Sequence, residues 1–183
     1  MNPMNPMTAF KGFPDMSGTD PIGFMSGIQP PTGQIQDLKP GSIKAIPQYG
    51  GNDGSPFILY PNYPGPIKTI EVYSGVSGDP QRPYVIRGLR VEWFHSPTSP
   101  LYGRETDRKD TYTFQPEERI LSMIIASGVR TDRIEFTTTH GNFKAGGNGG
   151  TAHDVDVASG IILGFQGRSG WDIDSLGVEF FKG

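Results

Sequence analysis

The apolar content of this chain comes in short runs of β-branched and aromatic residues, and helical stripes are hard to find beyond residue 40. Runs at 43–46, 56–60, 67–73, 84–94, 111–114, 120–126, 133–139, 161–165 and 176–181 are separated by stretches rich in Gly, Pro, Asn and Asp. So many short strands at such spacing predict an all-β domain: a sandwich, a barrel or a prism.

Three of the predicted strands repeat one another. The segments LRVEW (89–93), DRIEF (132–136) and LGVEF (176–180) share an aliphatic-Glu-aromatic core, and Glu92, Glu135 and Glu179 lie 43 and 44 residues apart. Alternation along a strand puts Val91 with Trp93, Ile134 with Phe136, and Val178 with Phe180 on the inner face and each Glu outside. A unit of this size cannot bury its own apolar face. Three such units closing around a common axis can.

A second repeat precedes those strands: SGVSGD (74–79), SGVRTD (127–132) and SGWDID (169–174) all read Ser-Gly-x-x-x-Asp. A third element is a glycine-rich loop, GGNDG at 50–54 and GGNGG at 146–150, with a weaker counterpart in YGRE at 102–105. Glycine clusters of this kind permit positive φ and close approach of backbone to a ligand. Singly, each Ser-Gly-x-x-x-Asp is an ordinary turn, with Gly supplying the φ and Asp capping backbone N–H groups. Its threefold recurrence beside glycine-rich partner loops points to binding.

Composition narrows the partners. The chain has 183 residues, with 26 Gly and 17 Pro, more than a fifth of the total. Residues 1–40 hold five of the six Met and almost no strand alternation, so they read as a Met/Pro/Gly-rich extension to a domain at 41–183. Phe10, Phe13, Phe24 and those methionines suit an adaptable contact with the domain or with a neighbouring chain. A net charge of −3 and a pI near 5.6 leave no electrostatic footprint for nucleic acid. RETDRKD at 104–110 alternates in sign, as a solvated loop does. The absence of cysteine removes disulfides, thiolate metal sites and thiol nucleophiles. Neither a signal-peptide pattern nor an apolar run long enough for a membrane span is present, so we expect a soluble chain, cytoplasmic or exported by a route that needs no signal peptide.

The last repeat is the most complete. Gly170 allows a sharp turn, the N–H groups of Trp171 and Asp172 can converge outward, and Asp174 supplies a carboxylate beside them. Fixed donors plus an acceptor-only carboxylate match the paired hydroxyls of a sugar, and the Trp171 ring can meet the apolar face of a pyranose. GRSGWDIDSLGVEFF, IKAIPQYGGNDGSPF and GGNGGTAHDVDV together resemble the jacalin-related lectins over about residues 43–181. The resemblance implies a β-prism I of three four-stranded Greek-key sheets with pseudo-threefold symmetry, binding mannose-like or galactose-like sugars without metal or cofactor. It implies a site in which Gly54 gives a backbone contact, Gly170 makes the turn, Trp171 and Asp172 donate N–H groups, and Asp174 accepts from sugar hydroxyls. Many members carry a larger apolar residue at the position of Asp172, which we expect to be a rim residue that tunes specificity or repels acidic glycans. Galactose-binding members expose a cleaved N-terminus at the first glycine loop. Here the chain continues upstream of it, which favours mannose- or glucose-type glycans. A second site is expected from Gly128, Val129, Arg130 and Asp132 facing Gly149 and Gly150. A third is expected from Gly75, Val76, Ser77 and Asp79 facing Tyr102 and Gly103, although Arg104 replaces a usual glycine and PQRPYV after Asp79 reads as an insertion.

Catalytic readings are weaker. A glycosidase needs two carboxylates on opposite sides of the scissile bond, roughly 5–10 Å apart, whereas Asp172 and Asp174 share one strand face. His153, Asp154, Asp156 and His140 match no standard metal-ligand spacing. No nucleophile elbow or phosphate-binding loop is present. The competing expectation is an assembly subunit, with the prism as scaffold and segment 1–40 docking a neighbouring protein; a homo-oligomer is expected under either reading.

Overall fold

The computed structural model describes residues 42–59 and 65–183. The segment 1–40, with the contacts expected of Phe10, Phe13 and Phe24, lies outside the described residues. The described residues contain no helix, and hence none long and apolar enough to cross a membrane.

The strands, in chain order, are β1 (Ile43–Ala45), β2 (Tyr49–Gly50), β3 (Ser55–Leu59), β4 (Ile67–Val76), β5 (Tyr84–Trp93), β6 (Tyr102–Gly103) and β7 (Arg108–Thr113). There follow β8 (Ile120–Ser127), β9 (Thr131–Thr138), β10 (Asn142–Gly146), β11 (Thr151–Val155), β12 (Ile162–Ser169) and β13 (Ile173–Phe181). They form three antiparallel sheets ordered β6-β5-β4-β7, β10-β9-β8-β11 and β1-β13-β12-β3. The short β2 pairs with β13 as well, further along the strand that β1 also pairs, so β1 and β2 are one interrupted edge. In the first two sheets the fourth strand returns beside the first, which is the Greek key. The third sheet has the same order if the chain is imagined joined from β13 to β1. Its hairpin comes from the C-terminal end of the domain and its outer strands from the N-terminal end. The fold is the β-prism I that the family resemblance implies, with the three units that the repeats predict.

Each repeated aliphatic residue faces a core residue across its central hairpin. Val91 pairs with Ile70, Ile134 with Ile125, and Val178 with Phe165, and all six are buried. Trp93, Phe136 and Phe180 are buried beside them, while Glu92, Glu135 and Glu179 are half-buried on the other face. The three inner faces share one apolar cluster, to which Leu59, Leu89 and Phe143 also belong. The indole N–H of Trp93 donates to the Leu163 carbonyl at 2.8 Å, which ties the first sheet to the third and satisfies the polar edge of a buried ring.

Four strands, β2, β6, β10 and β11, do not stand out in the sequence. Two are only two residues long, and β10 and β11 are outer strands whose apolar content is confined to alternate positions such as Phe143, Ala145 and Val155. They form because a central hairpin offers them a ladder edge, a constraint that no local pattern carries.

Phe165 lies at the centre of the shared core and is fully buried. Phe165→Ala is expected to lower unfolding free energy by about 3–5 kcal/mol. Leu121→Ala, at an exposed position, should change it by less than about 0.5 kcal/mol. Urea unfolding of the two variants checks the contrast.

Candidate functional site

The turns of all three central hairpins are threefold equivalents in register. Ser74, Ser127 and Ser169, at or near the end of the first strand of each hairpin, face Arg108, Thr151 and Ser55 on the returning fourth strand. Gly88, Arg133 and Ser175 face Gly103, Gly146 and Gly50 on the third strand. Immediately after those glycines, the N–H groups of Arg104, Gly147 and Gly51 donate to the carbonyls of Arg87, Asp132 and Asp174 at 2.7–2.9 Å. Asp174 and Asp132 are therefore equivalent residues, and the third equivalent is Arg87. The carboxylate expected there from Asp79 is not in that place. The β4–β5 turn is longer than the other two, and Asp79 lies within the added loop.

Asp174 is buried yet stands at the edge of open space. It is 3% exposed, at the wall of a cleft of about 670 Å³ that Gly54, Gly170, Trp171 and Asp172 also line. A Cβ at Gly54 would collide with Asp174 Oδ2 and the Ser169 backbone, and the φ of Gly54 is +73°. Glycine is needed there on both counts, and it keeps the carboxylate open toward the cleft. The Gly170 N–H closes the turn on the Asp172 carbonyl at 3.0 Å, leaving Trp171 and Asp172 at the tip. Burial pushes the Asp174 carboxyl up to about 6, with Arg130 opposing the shift and Asp172, Asp53 and Asp79 adding to it.

Arg130 stands at the centre of the cleft. It departs from its own hairpin, where a second site was expected to use it. Its Nε lies 3.1 Å from Asp174 Oδ1 and 3.4 Å from Asp172 Oδ2, while Nη1 and Nη2 reach Asp53 and Asp79 at 3.2 and 3.0 Å. The approach of Nε to Asp174 is a charge pair without hydrogen-bond alignment, so the acceptor lone pairs of Asp174 are largely unspent.

Asp172 differs from expectation. Its side chain is 3% exposed and faces inward, accepting from Arg87 Nε at 2.6 Å and Ser77 Oγ at 2.7 Å. It is an internal strut between two hairpins, and its charge is already met by Arg87 and Arg130. Ser77, expected in a third site, serves this pair instead.

The second group assembles. Asp132 is 7% exposed beneath Gly149 and Gly150, and a Cβ at Gly150 would collide with its Oδ2 as one at Gly54 would with Asp174. Burial raises the Asp132 carboxyl, partly offset by the Gly128 N–H and by Arg133. Among the described residues it has no ion-pair partner. Val129 projects at the tip, exposed. The third group does not assemble in this way: Gly75, Val76, Ser77, Asp79, Tyr102 and Gly103 surround no carboxylate equivalent to Asp174. Val76, Ser77 and Asp79 line the first cleft, and Tyr102 stacks on Phe57 at 4.8 Å.

The residues following the threefold glycines each reach a neighbouring hairpin. A Cβ at Gly51 or Gly147 would strike the backbone of Val129 or Tyr84, whereas Arg104 lays its guanidinium 3.9 Å from the ring centre of Trp171. Trp171 remains 70% exposed, so one ring face is taken and the other is open. Sequence reasoning did not assign Arg82, Arg87 or Asp53 to this cleft. The only hint was the long β4–β5 turn and the arginine in a glycine position. His153 stacks on Tyr49 at 4.2 Å and Asp156 pairs with Lys44 at 2.5 Å; among the described residues no group of His, Asp and Glu is placed to hold a metal ion.

A family model for the jacalin-like lectin domain matches residues 46–179. Among solved structures, a lamprey immune protein is 27% identical with a TM-score of 0.68, covering 76% of this chain and 44% of that one. This chain thus corresponds to less than half of the lamprey protein. Wild-type Malaysian banana lectin is 26% identical with a TM-score of 0.59, covering 74% of this chain and 96% of that one. A mannose-binding jacalin-related lectin from Ananas comosus, 22% identical with a TM-score of 0.64 over 75% and 96% of the two chains, shares the fold. No curated protein matches in sequence.

Removing one partner of a buried ion pair strands the other. Asp172→Ala is expected to cost about 3 kcal/mol of stability in urea unfolding by orphaning Arg87. A change within about 0.5 kcal/mol, as at a rim position, would contradict the strut.

Proposed function

The chain belongs to the jacalin-like lectin family, and on that premise we propose that it binds carbohydrate reversibly and without a metal ion in the cleft around Asp174. The observation that carries this reading is a buried carboxylate with unspent lone pairs, held open by Gly54 beside the tight 170–172 turn. Asp174 accepts from two sugar hydroxyls, the backbone N–H groups of Trp171 and Asp172 donate to sugar oxygens, Gly54 gives a backbone contact, and the open face of Trp171 meets the pyranose ring. The family resemblance favours mannose- and glucose-type sugars over galactose, because galactose-binding members expose a cleaved N-terminus at the first glycine loop and here the sequence continues upstream of it.

Asp132 under Gly149 and Gly150 makes a second site of the same design, with Gly128 and Val129 as its turn. The third unit, with Arg87 in place of the carboxylate, supports no such site. Binding at each site is weak, since a monosaccharide offers few contacts, and avidity comes from two sites per chain and from several chains in a homo-oligomer. The arrangement does not suit hydrolysis: Asp172 is consumed by Arg87 and Ser77, and Asp53 and Asp79, the other carboxylates of the cleft, are paired with Arg130.

Calorimetric titration of methyl α-mannoside tests the assignment. Wild type is expected to take up two sugars per chain, and Asp132→Asn one. Asp174→Asn should weaken the first site about 10- to 100-fold, the worth of a charge-assisted hydrogen bond. No heat from wild type with either methyl α-mannoside or methyl α-galactoside would overturn the reading.

The pH dependence has a definite sign. Burial favours the neutral acid, so Asp174 takes up a proton as pH falls through about 6 and loses acceptor capacity. In the Asp132→Asn background, mannoside affinity should be level from pH 8 to 7 and fall by about tenfold per unit well below 6. Affinity unchanged at pH 5 would contradict an ionised acceptor.

A further inference from the structure

At two of the equivalent positions the third unit carries a cation. Arg87 stands where the other two units have Asp174 and Asp132. Arg104 stands where they have Gly51 and Gly147. The added loop between β4 and β5 carries Arg82, held at a φ of +50° with its N–H bonded to the Asp79 carbonyl at 2.8 Å. All three line the Asp174 cleft.

Not all of this charge is spent. The cleft's four carboxylates, Asp53, Asp79, Asp172 and Asp174, are all engaged by Arg130, and Asp172 by Arg87 as well. Arg82 and Arg104 have no carboxylate partner among the described residues. Arg104 rests over the Trp171 ring, Cζ 3.9 Å from its centre, and its buried Nε–H has no acceptor. A pre-positioned guanidinium that lines the cleft without a carboxylate partner is available to a ligand, and its planar fork suits an oxyanion.

We propose that the Asp174 cleft binds an acidic glycan, with neutral hydroxyls on Asp174 and a carboxylate or sulfate ester on Arg104 and Arg82. The inference rests on the sugar site around Asp174 and deepens it. The buried, doubly paired Asp172 offers no free charge to repel such a ligand, and Trp171 joins the two halves, one face on Arg104 and the other toward the sugar ring. The third unit thus contributes a cationic wall to the first site in place of a neutral site of its own.

The test is a titration of the full chain with methyl α-mannoside, its 2-, 3- and 6-sulfates and its uronate, at low and at physiological salt. At least one charged sugar is expected to bind about tenfold tighter than the neutral mannoside. That gain should shrink with salt and be lost in Arg104→Gln, whereas Arg82→Gln should leave neutral mannoside affinity unchanged. Arg82→Gln, at an exposed position that cannot disturb the core, should reduce the same gain. A gain confined to the sulfates identifies the ligand anion as a sulfate ester, and one confined to the uronate as a carboxylate. Neutral mannoside binding with no charged sugar bound more tightly, or a gain that survives both substitutions, overturns the proposal and leaves the lectin site standing. No binding of any of these sugars overturns both.

Discussion

One guanidinium holds the hairpin-turn end of this prism together. Arg130 issues from the β8–β9 turn and meets Asp79 from the β4–β5 turn, Asp172 and Asp174 from the β12–β13 turn, and Asp53 from the loop before β3. Four carboxylates drawn together from two hairpins and the loop before β3 would repel one another without it, and in a half-buried cleft that repulsion is poorly screened by solvent. The position of each loop at this end therefore depends on a charge supplied by another sheet. The same interaction orients Asp174 without exhausting it, since the Nε approach is attractive but poorly aligned as a hydrogen bond.

The architecture behind that end follows from a simpler constraint. No single Greek-key sheet here can bury its own apolar face, so three of them share a core in which Ile70–Val91, Ile125–Ile134 and Phe165–Val178 are corresponding cross-strand pairs. Symmetry then places three equivalent turns at one end and offers three equivalent sites. The units have diverged on this common frame: the third sheet and the second each keep a glycine-framed carboxylate, and the first has arginines in its place. A repeated fold allows this, because the core fixes the backbone and leaves the turn residues free to change.

The sequence made the core legible and the cleft only partly so. The aliphatic-Glu-aromatic repeat located the three inner strands and their buried faces, because strand alternation and burial are local properties of a sequence. Gly54 with Asp174 and Gly150 with Asp132 were paired through the family resemblance and its connectivity, and the structure supplies the physical reason, since the close approach of loop to carboxylate demands glycine. Asp172 was misplaced at the rim because its partners, Arg87 and Ser77, lie 85 and 95 residues away in the chain, and a spacing motif carries no information on which carboxylate will be met by a distant cation. Asp79 matched the motif but not the position, since the longer β4–β5 turn shifts the register so that Arg87 takes the equivalent place. Arg130 belonged by sequence to the second turn and by structure serves the first.

The central claim is that sugar is held by the backbone and carboxylate of one particular cleft, and amide chemical shifts on titration with methyl α-mannoside test it most directly. The account predicts that the N–H resonances of Gly54, Trp171 and Asp172 move together with a single dissociation constant, while those of β1 and of the β9–β10 turn at the far end stay fixed. Shifts confined to other parts of the prism, with these three amides unmoved at saturation, would contradict it.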